Sequence, residues 1–144
     1  MAELIEHKFS KGNELSNRSY GPITRWTLAM FAGGSGDPSP IHIDTDFAKQ
    51  FGFEDVFAHG MLSMAYMTRY LRTIVPQSDI HSVDVRFLNI TPVGVNVCCS
   101  ALVDEVVSID GRKAARLNLT AEIDGGIKTL QGHAIVFIDR EYKQ

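Results

Sequence analysis

One strongly apolar helix, followed along the chain by strands, is the feature that most constrains the fold. The segment from about Gly60 to Ile74 is apolar nearly all round, which predicts a buried helix. From residue 79 onward the chain reads almost entirely as strands, with candidates at 83–87, at 93–107 with an interruption at Gly94, at 114–123 and at 127–138. A buried helix followed by consecutive antiparallel strands implies an α+β fold, in which a curved antiparallel sheet wraps around the long central helix.

The first half of the chain is predicted to hold shorter helices and loops. Thr24 is suited to cap a helix over residues 25–32, which the following glycines then end. Asp44 is suited to cap a second short helix that runs to Phe51.

The other organisational signals indicate a single unit. An edge strand is expected at residues 20–23 or at residues 5–9. The sequence contains no internal repeat, low-complexity tract or linker, so residues 1–144 are predicted to form one domain.

Composition excludes several classes of protein. Hydrophobic residues make up 44% of the chain and the net charge is −3, a globular balance without the basic stripe that nucleic-acid binding requires. No apolar run approaches the ~18 residues that span a bilayer, and acidic residues near the N-terminus argue against a signal peptide, so a cytoplasmic protein is predicted. The adjacent Cys98 and Cys99 are predicted to point to opposite faces of a strand, with no disulfide and no metal site.

Two candidate catalytic residues lie in the segment Asp37-Pro38-Ser39-Pro40-Ile41-His42. Each proline fixes its own φ and restricts the residue before it, so the loop is stiff. A carboxylate and an imidazole at a set separation are suited to general acid–base catalysis. The alternative is a structural loop in which Asp37 caps backbone amides and His42 is simply buried; the spacing alone does not decide between the two.

A second candidate segment, Ala58-His59-Gly60-Met61, lies at the start of the apolar helix. The first amides of a helix have no acceptor within the helix, and the positive end of its dipole lies there. If this end reaches the Asp37 loop, the Gly60 amide could stabilise a carbonyl oxygen on which negative charge develops. Simple helix capping by the glycine is the alternative.

These two segments together resemble the MaoC-type hydratase family, which includes (R)-specific enoyl-CoA hydratases and (3R)-hydroxyacyl-ACP dehydratase subunits. The family signature runs aromatic, small residues, Gly-Asp-x-Asn-Pro-aliphatic-His, and then a small residue six positions on. Ser39 replaces the family's Asn; both residues are short and polar, so the loop is expected to keep its shape. The chain supplies the remaining positions in register: Phe31, Ser35, Gly36, Asp37, Pro40, Ile41, His42 and Ala48.

The resemblance implies a hot-dog fold and a hydro-lyase. The implied reaction is reversible hydration of a trans-2-enoyl thioester to an (R)-3-hydroxyacyl thioester, with Asp37 and His42 as the catalytic pair and Gly60 as the oxyanion donor. It requires no metal or organic cofactor. The implied substrates are acyl-CoA or acyl-carrier-protein thioesters. The implied assembly is a homodimer, with a hetero-dimer with a related subunit left open.

Four more residues are candidates for substrate binding. Ser63 lies one turn into the apolar helix and could touch the substrate, although a hydrogen bond back to its own helix is the alternative. Phe31, Phe57 and Met61 could line an acyl channel, although core packing also accounts for them.

Two other functions are weaker on this sequence. A hot-dog thioesterase would need a carboxylate on the central helix, and residues 60–76 contain none. A non-catalytic acyl-thioester-binding subunit of a dehydratase complex should lack the acid–base pair, whereas this chain keeps both members.

Overall fold

The computed structural model describes residues 7–139, which fold as a five-stranded sheet with helices against it. The sheet has the strand order β1-β3-β4-β5-β2, and every neighbouring pair is antiparallel. This is the α+β arrangement that the sequence predicted. The elements are β1 (Glu14–Tyr20), α1 (Arg25–Ser35), α2 (Thr45–Gln50), α3 (Gly60–Leu71), β2 (Ile80–Phe87), β3 (Val97–Ile109), β4 (Arg112–Ile123) and β5 (Ile127–Phe137).

The hydrophobic core lies between α3 and the sheet. Helix α3 contacts β1, β2, β3 and β5. Its buried residues include Leu62, Met67 and Leu71, which belong to the same cluster as Leu117 and Leu119 of β4. Since alternate residues of a strand share a face, the alternation in β4 places one row of side chains against the helix.

The predicted burial of the central helix does not hold along one stripe of its surface. Met61 is 58% exposed, and Ala65, one turn further on, is also exposed. The sheet covers only one side of α3, so an apolar stripe on the other side stays open. The helix also ends at Leu71, short of Ile74, where the chain enters a turn.

Helix α1 is longer than predicted. Thr24 caps it as expected, because its hydroxyl accepts from the Thr27 amide at 3.0 Å. The helix then continues through Gly33 to Ser35, and it is Gly36, with a left-handed φ of 73°, that ends it. A helical glycine lowers stability without terminating the helix.

The short helix α2 confirms the predicted cap. The Asp44 carboxylate accepts from the amides of Asp46 and Phe47 at 2.9 and 3.1 Å.

The predicted position of the edge strand is wrong. It is β1, at residues 14–20, whereas residues 7 and 8 are helical and residues 5 and 6 lie outside the described range. Within β1 only Leu15 is buried, so the segment carries no alternating apolar signal. Strand β3 begins at Val97 rather than at residue 93, since the chain turns at Gly94, where φ is 90°.

Two local features of the sheet bear on later predictions. Cys99 is fully buried and Cys98 is half-buried, both as free thiols, which agrees with opposite faces of one strand. Near the start of β4, the Arg112 guanidinium lies 2.6 Å from the Asp139 carboxylate and 3.6 Å from Asp79, which is fully buried. No helix of residues 7–139 is both long enough and apolar enough to cross a bilayer.

Candidate active site

His42 ends a 3₁₀ turn, Pro40–His42, in the loop between α1 and α2. Its Nδ1 lies 2.8 Å from the carbonyl oxygen of Phe57, and the Phe57 ring meets the imidazole edge-on, with centroids 5.1 Å apart. A carbonyl only accepts hydrogen bonds, so Nδ1 carries the proton and Nε2 keeps its lone pair. The backbone thereby selects the tautomer in which Nε2 can accept a proton.

The surroundings of His42 favour its neutral form. Burial lowers the pKa of His42 below its ordinary value, and the nearby His59 lowers it further. The hydrogen bond to the Phe57 carbonyl and the charge of Asp37 oppose this shift without cancelling it. At neutral pH His42 is therefore an uncharged imidazole that can act as a base.

Asp37 follows Gly36 at the end of α1, and its side chain is exposed. Its contacts along the loop are local: its amide donates to Ser35 Oγ at 3.3 Å, and its Oδ1 accepts from the Ser39 amide at 3.3 Å. Ser39 thus supports the loop through its backbone amide, and its side chain makes no capping hydrogen bond. The loop can keep this contact whether the residue is Asn or Ser.

His59 is the third member of the cluster, one residue before α3. Its Nε2 lies 3.0 Å from the backbone carbonyl of Asp37, and its ring lies against that of His42, with centroids 3.9 Å apart and planes 31° from parallel. The start of α3 therefore does reach the Asp37 loop. This role of His59 has no local signature in the sequence, because its contact with Asp37 spans 22 residues.

The cluster of Asp37, His42 and His59 is the right size to hold one water molecule. One carboxylate or ring nitrogen atom from each residue lies within 4.8 Å of the others. Two hydrogen bonds of about 2.8 Å that meet at a tetrahedral water span about 4.6 Å. Two imidazoles and a carboxylate are also donors that transition metals bind. Acid–base addition of water does not require one.

The candidate substrate residues divide between two cavities, each of which is bordered by residues from the first turns of α3. Phe31 and Met61 share the first with Asp37, and Gly60, Ser63 and Phe57 line the second. The first cavity, of about 540 Å³, is bordered by Phe31, Ser35, Asp37, Met61, Met64, Ala65 and Thr68. The second, of about 290 Å³, is bordered by Phe57, Ala58, Gly60, Ser63, Phe87, Leu88, Asn89, Ile90, Thr91 and Thr129.

Two residues of the second cavity, Thr91 and Phe87, were not predicted as site residues from the sequence. Ser63 is buried, and its hydroxyl lies 3.3 Å from that of Thr91 instead of bonding back to α3. Phe87 covers the start of the helix: a Cβ built at Gly60 would lie 3.2 Å from its ring. Phe87 ends β2, and Thr91 lies in the loop that follows it. Neither an exposed aromatic residue nor a threonine before a proline indicates a site in the sequence.

Comparison with known proteins shows which family the whole chain resembles. The family described as "MaoC like domain" matches residues 8–123. An (R)-specific enoyl-CoA hydratase of Rhodospirillum rubrum is 27% identical over 137 residues, which cover 94% of each chain.

Solved structures show the same fold. The unliganded R-hydratase PhaJ1 of Pseudomonas aeruginosa superposes with a TM-score of 0.81 at 23% identity, over 94% of this chain and 85% of that one. The (R)-hydratase of A. caviae involved in PHA biosynthesis superposes with a TM-score of 0.77 at 26% identity, over 88% of this chain and 95% of that one.

Proposed function

The chain belongs to the MaoC-like domain family and has its hot-dog fold, and on that premise we propose that it is a hydro-lyase. The reaction is reversible addition of water to a trans-2-enoyl thioester, which gives an (R)-3-hydroxyacyl thioester. The observation that carries the proposal is the meeting of Asp37 and neutral His42 at one point, with His42 Nε2 free to accept a proton. The relatives named as (R)-specific hydratases support the reaction and its stereochemistry.

In the proposed mechanism, Asp37 and His42 hold one water between them. The His42 Nε2 takes a proton from this water, its oxygen bonds to the β-carbon, and the electrons of the carbon–carbon double bond move toward the thioester carbonyl. A proton then passes from the imidazolium to the α-carbon, directly or by way of the Asp37 carboxylate. Both residues return to their starting protonation states, so the cycle consumes no other reagent.

The Gly60 amide is proposed to stabilise the negative charge on the thioester oxygen. It lies in the first turn of α3, where an amide has no acceptor within the helix and the dipole is positive. The absence of a side chain keeps room beside this amide under the Phe87 ring. Hydrogen bonds placed where charge develops are usually the largest single contribution to catalysis of this type.

The substrate is proposed to be an acyl thioester of coenzyme A or of an acyl carrier protein. Phe31 and Met61 offer an apolar wall beside Asp37, and Phe57 and Ser63 border the Gly60 amide from the other cavity. Such apolar walls with few polar groups suit an acyl chain. A cytoplasmic location stays a prediction from the sequence.

The protein is proposed to act as a homodimer. Strand β2 is at an edge of the sheet, where its outer backbone groups can pair with a second chain. Phe87 of this strand is 50% exposed and Met61 of α3 is 58% exposed, which is costly for large apolar side chains in water. Light scattering after gel filtration should give twice 16.0 kDa; 16.0 kDa alone would refute a stable dimer.

The reaction is tested by loss of enoyl-thioester absorbance when the purified protein meets crotonyl-CoA or longer trans-2-enoyl-CoAs. We expect rapid loss of this absorbance and formation of an (R)-alcohol, which chiral chromatography would identify. Release of free thiol would instead indicate a thioesterase. Lack of turnover on both CoA and carrier-protein thioesters would overturn the proposed reaction.

A further inference from the structure

His59 makes an unusual set of contacts for a residue at the start of a helix. It occupies the N-cap position of α3, yet its side chain caps none of the helix amides. The ring faces the Asp37 loop and is only 2% exposed. Its centroid lies 3.9 Å from that of the His42 ring and 5.1 Å from that of the Phe31 ring. Helix capping is therefore not its role.

The protonation of His59 follows from its partner. A backbone carbonyl must accept, so the Nε2 that faces the Asp37 carbonyl carries the proton. The Nδ1 atom then has a lone pair, and it is fully enclosed without a hydrogen-bond partner. A buried unpaired polar atom lowers the stability of the fold, and an apolar side chain of the same shape would avoid this cost. Its presence points to a function that requires a ring with one donor.

His59 contacts both members of the proposed catalytic pair, Asp37 and His42. Its Nε2 is bonded to the backbone of Asp37, whose other hydrogen bonds, to Ser35 and Ser39, are local and longer, at 3.3 Å. Its ring face supports the ring of His42, which is otherwise held by the carbonyl and the ring of Phe57. A single side chain at the N-cap of α3 thus contacts both groups.

We propose that His59 is a positioning residue that fixes the separation and orientation of Asp37 and His42. This inference rests on the proposed function and deepens it. The bond to the Asp37 carbonyl sets where the carboxylate stands, and the ring face sets the direction of His42 Nε2. The groups near His42 that can carry charge are Asp37 and His59 itself, so removal of the His59 ring also changes the environment in which His42 titrates.

Two substitutions separate the two contacts. His59→Phe keeps a ring against His42 but removes the donor to Asp37, and it also removes the unpaired Nδ1. His59→Gln keeps an amide donor near the position of Nε2 but removes the ring face. His133, an exposed residue of β5, provides the matched control His133→Gln.

The expected results differ in kind from those of a merely structural residue. His59→Phe should melt at or above the temperature of the wild type, and kcat should fall about 10²-fold, as expected for a reacting group misplaced by about 1 Å. KM should change less than about threefold, since the substrate walls are untouched. In His59→Gln, the His42 pKa, followed by NMR titration, should rise toward its ordinary value, because water replaces the ring.

Several outcomes would overturn the proposal. Wild-type kcat in His59→Phe would show that the bond to Asp37 is not needed. An unchanged His42 titration in His59→Gln would show that the ring face does not matter. If the wild-type protein fails to hydrate any enoyl thioester, the proposed function fails, but the His42 titrations in the two variants still test how His59 holds His42.

Discussion

The Gly60→Ala substitution separates catalysis from stability at the start of α3. The new Cβ would lie 3.2 to 3.4 Å from three atoms of the Phe87 ring, a few tenths of an ångström inside the favourable distance. Phe87 is 50% exposed and ends its strand, so the ring can move away. The strain is offset in part by the higher helix propensity of alanine, up to about 1 kcal/mol. We therefore expect the free energy of unfolding to change by less than about 1 kcal/mol.

The effect of the same substitution on catalysis should be much larger. The methyl group occupies the space beside the amide that is proposed to bind the thioester oxygen. Loss of one such donor typically costs about 10² to 10³ in kcat, or about 2.7–4 kcal/mol of transition-state stabilisation. Since the amide itself is retained, we expect the lower end, about 10²-fold.

The assay is kcat on crotonyl-CoA beside a thermal melt of the same protein. Gly33→Ala in α1 is the matched control, because its Cβ would meet nothing within 4 Å and the position is also helical. The control should raise the melting temperature slightly and leave kcat within about twofold. If Gly60→Ala keeps at least a third of the wild-type kcat, the Gly60 amide does not bind the developing oxyanion.

Three further predictions follow from charges and burial. Burial lowers the pKa of His42, and its neutral form is the proposed base, so kcat/KM should be independent of pH above about pH 6.5 and fall tenfold per pH unit only below the lowered pKa. A fall in kcat/KM that begins above about pH 6.5 would contradict this prediction. Burial raises the pKa of Cys99 to about 12, so iodoacetamide at pH 8 should label Cys98 alone until the protein is unfolded, as mass spectrometry of peptides would show. Arg112→Met should lower the free energy of unfolding by about 3 kcal/mol, because it removes the guanidinium that lies 3.6 Å from the buried carboxylate of Asp79. If Arg112→Met costs as much in an Asp79→Asn background, as measured by urea titration, this explanation is refuted.

Local chemistry explains which elements could be predicted from the sequence. Thr24 and Asp44 carry side-chain oxygens that satisfy the first amides of a helix, and both caps are found. Strands β4 and β5 alternate apolar and polar residues and were predicted to within two residues. Strand β1 has one buried residue, Leu15, and pairs with β3 across 77 to 88 residues of sequence, so no short-range pattern reveals it.

The same distinction applies to the candidate site. Asp37 and His42 are linked by a short stiff loop, and their chemistry can be recognised in the sequence. The roles of His59 and Thr91 depend on contacts that span 22 and 28 residues, which only the folded chain creates. The exposure of Met61 likewise depends on which side of α3 the sheet covers.

The central claim is that Asp37 and His42 together add water to an enoyl thioester. Its most direct test compares kcat on crotonyl-CoA for the wild type, Asp37→Asn, His42→Gln and the double variant, each shown to be folded by its melting temperature. Groups that act on one water are not independent, so each single variant should lose at least about 10³-fold and the double variant little more. Turnover within tenfold of the wild type in either single variant would contradict the account.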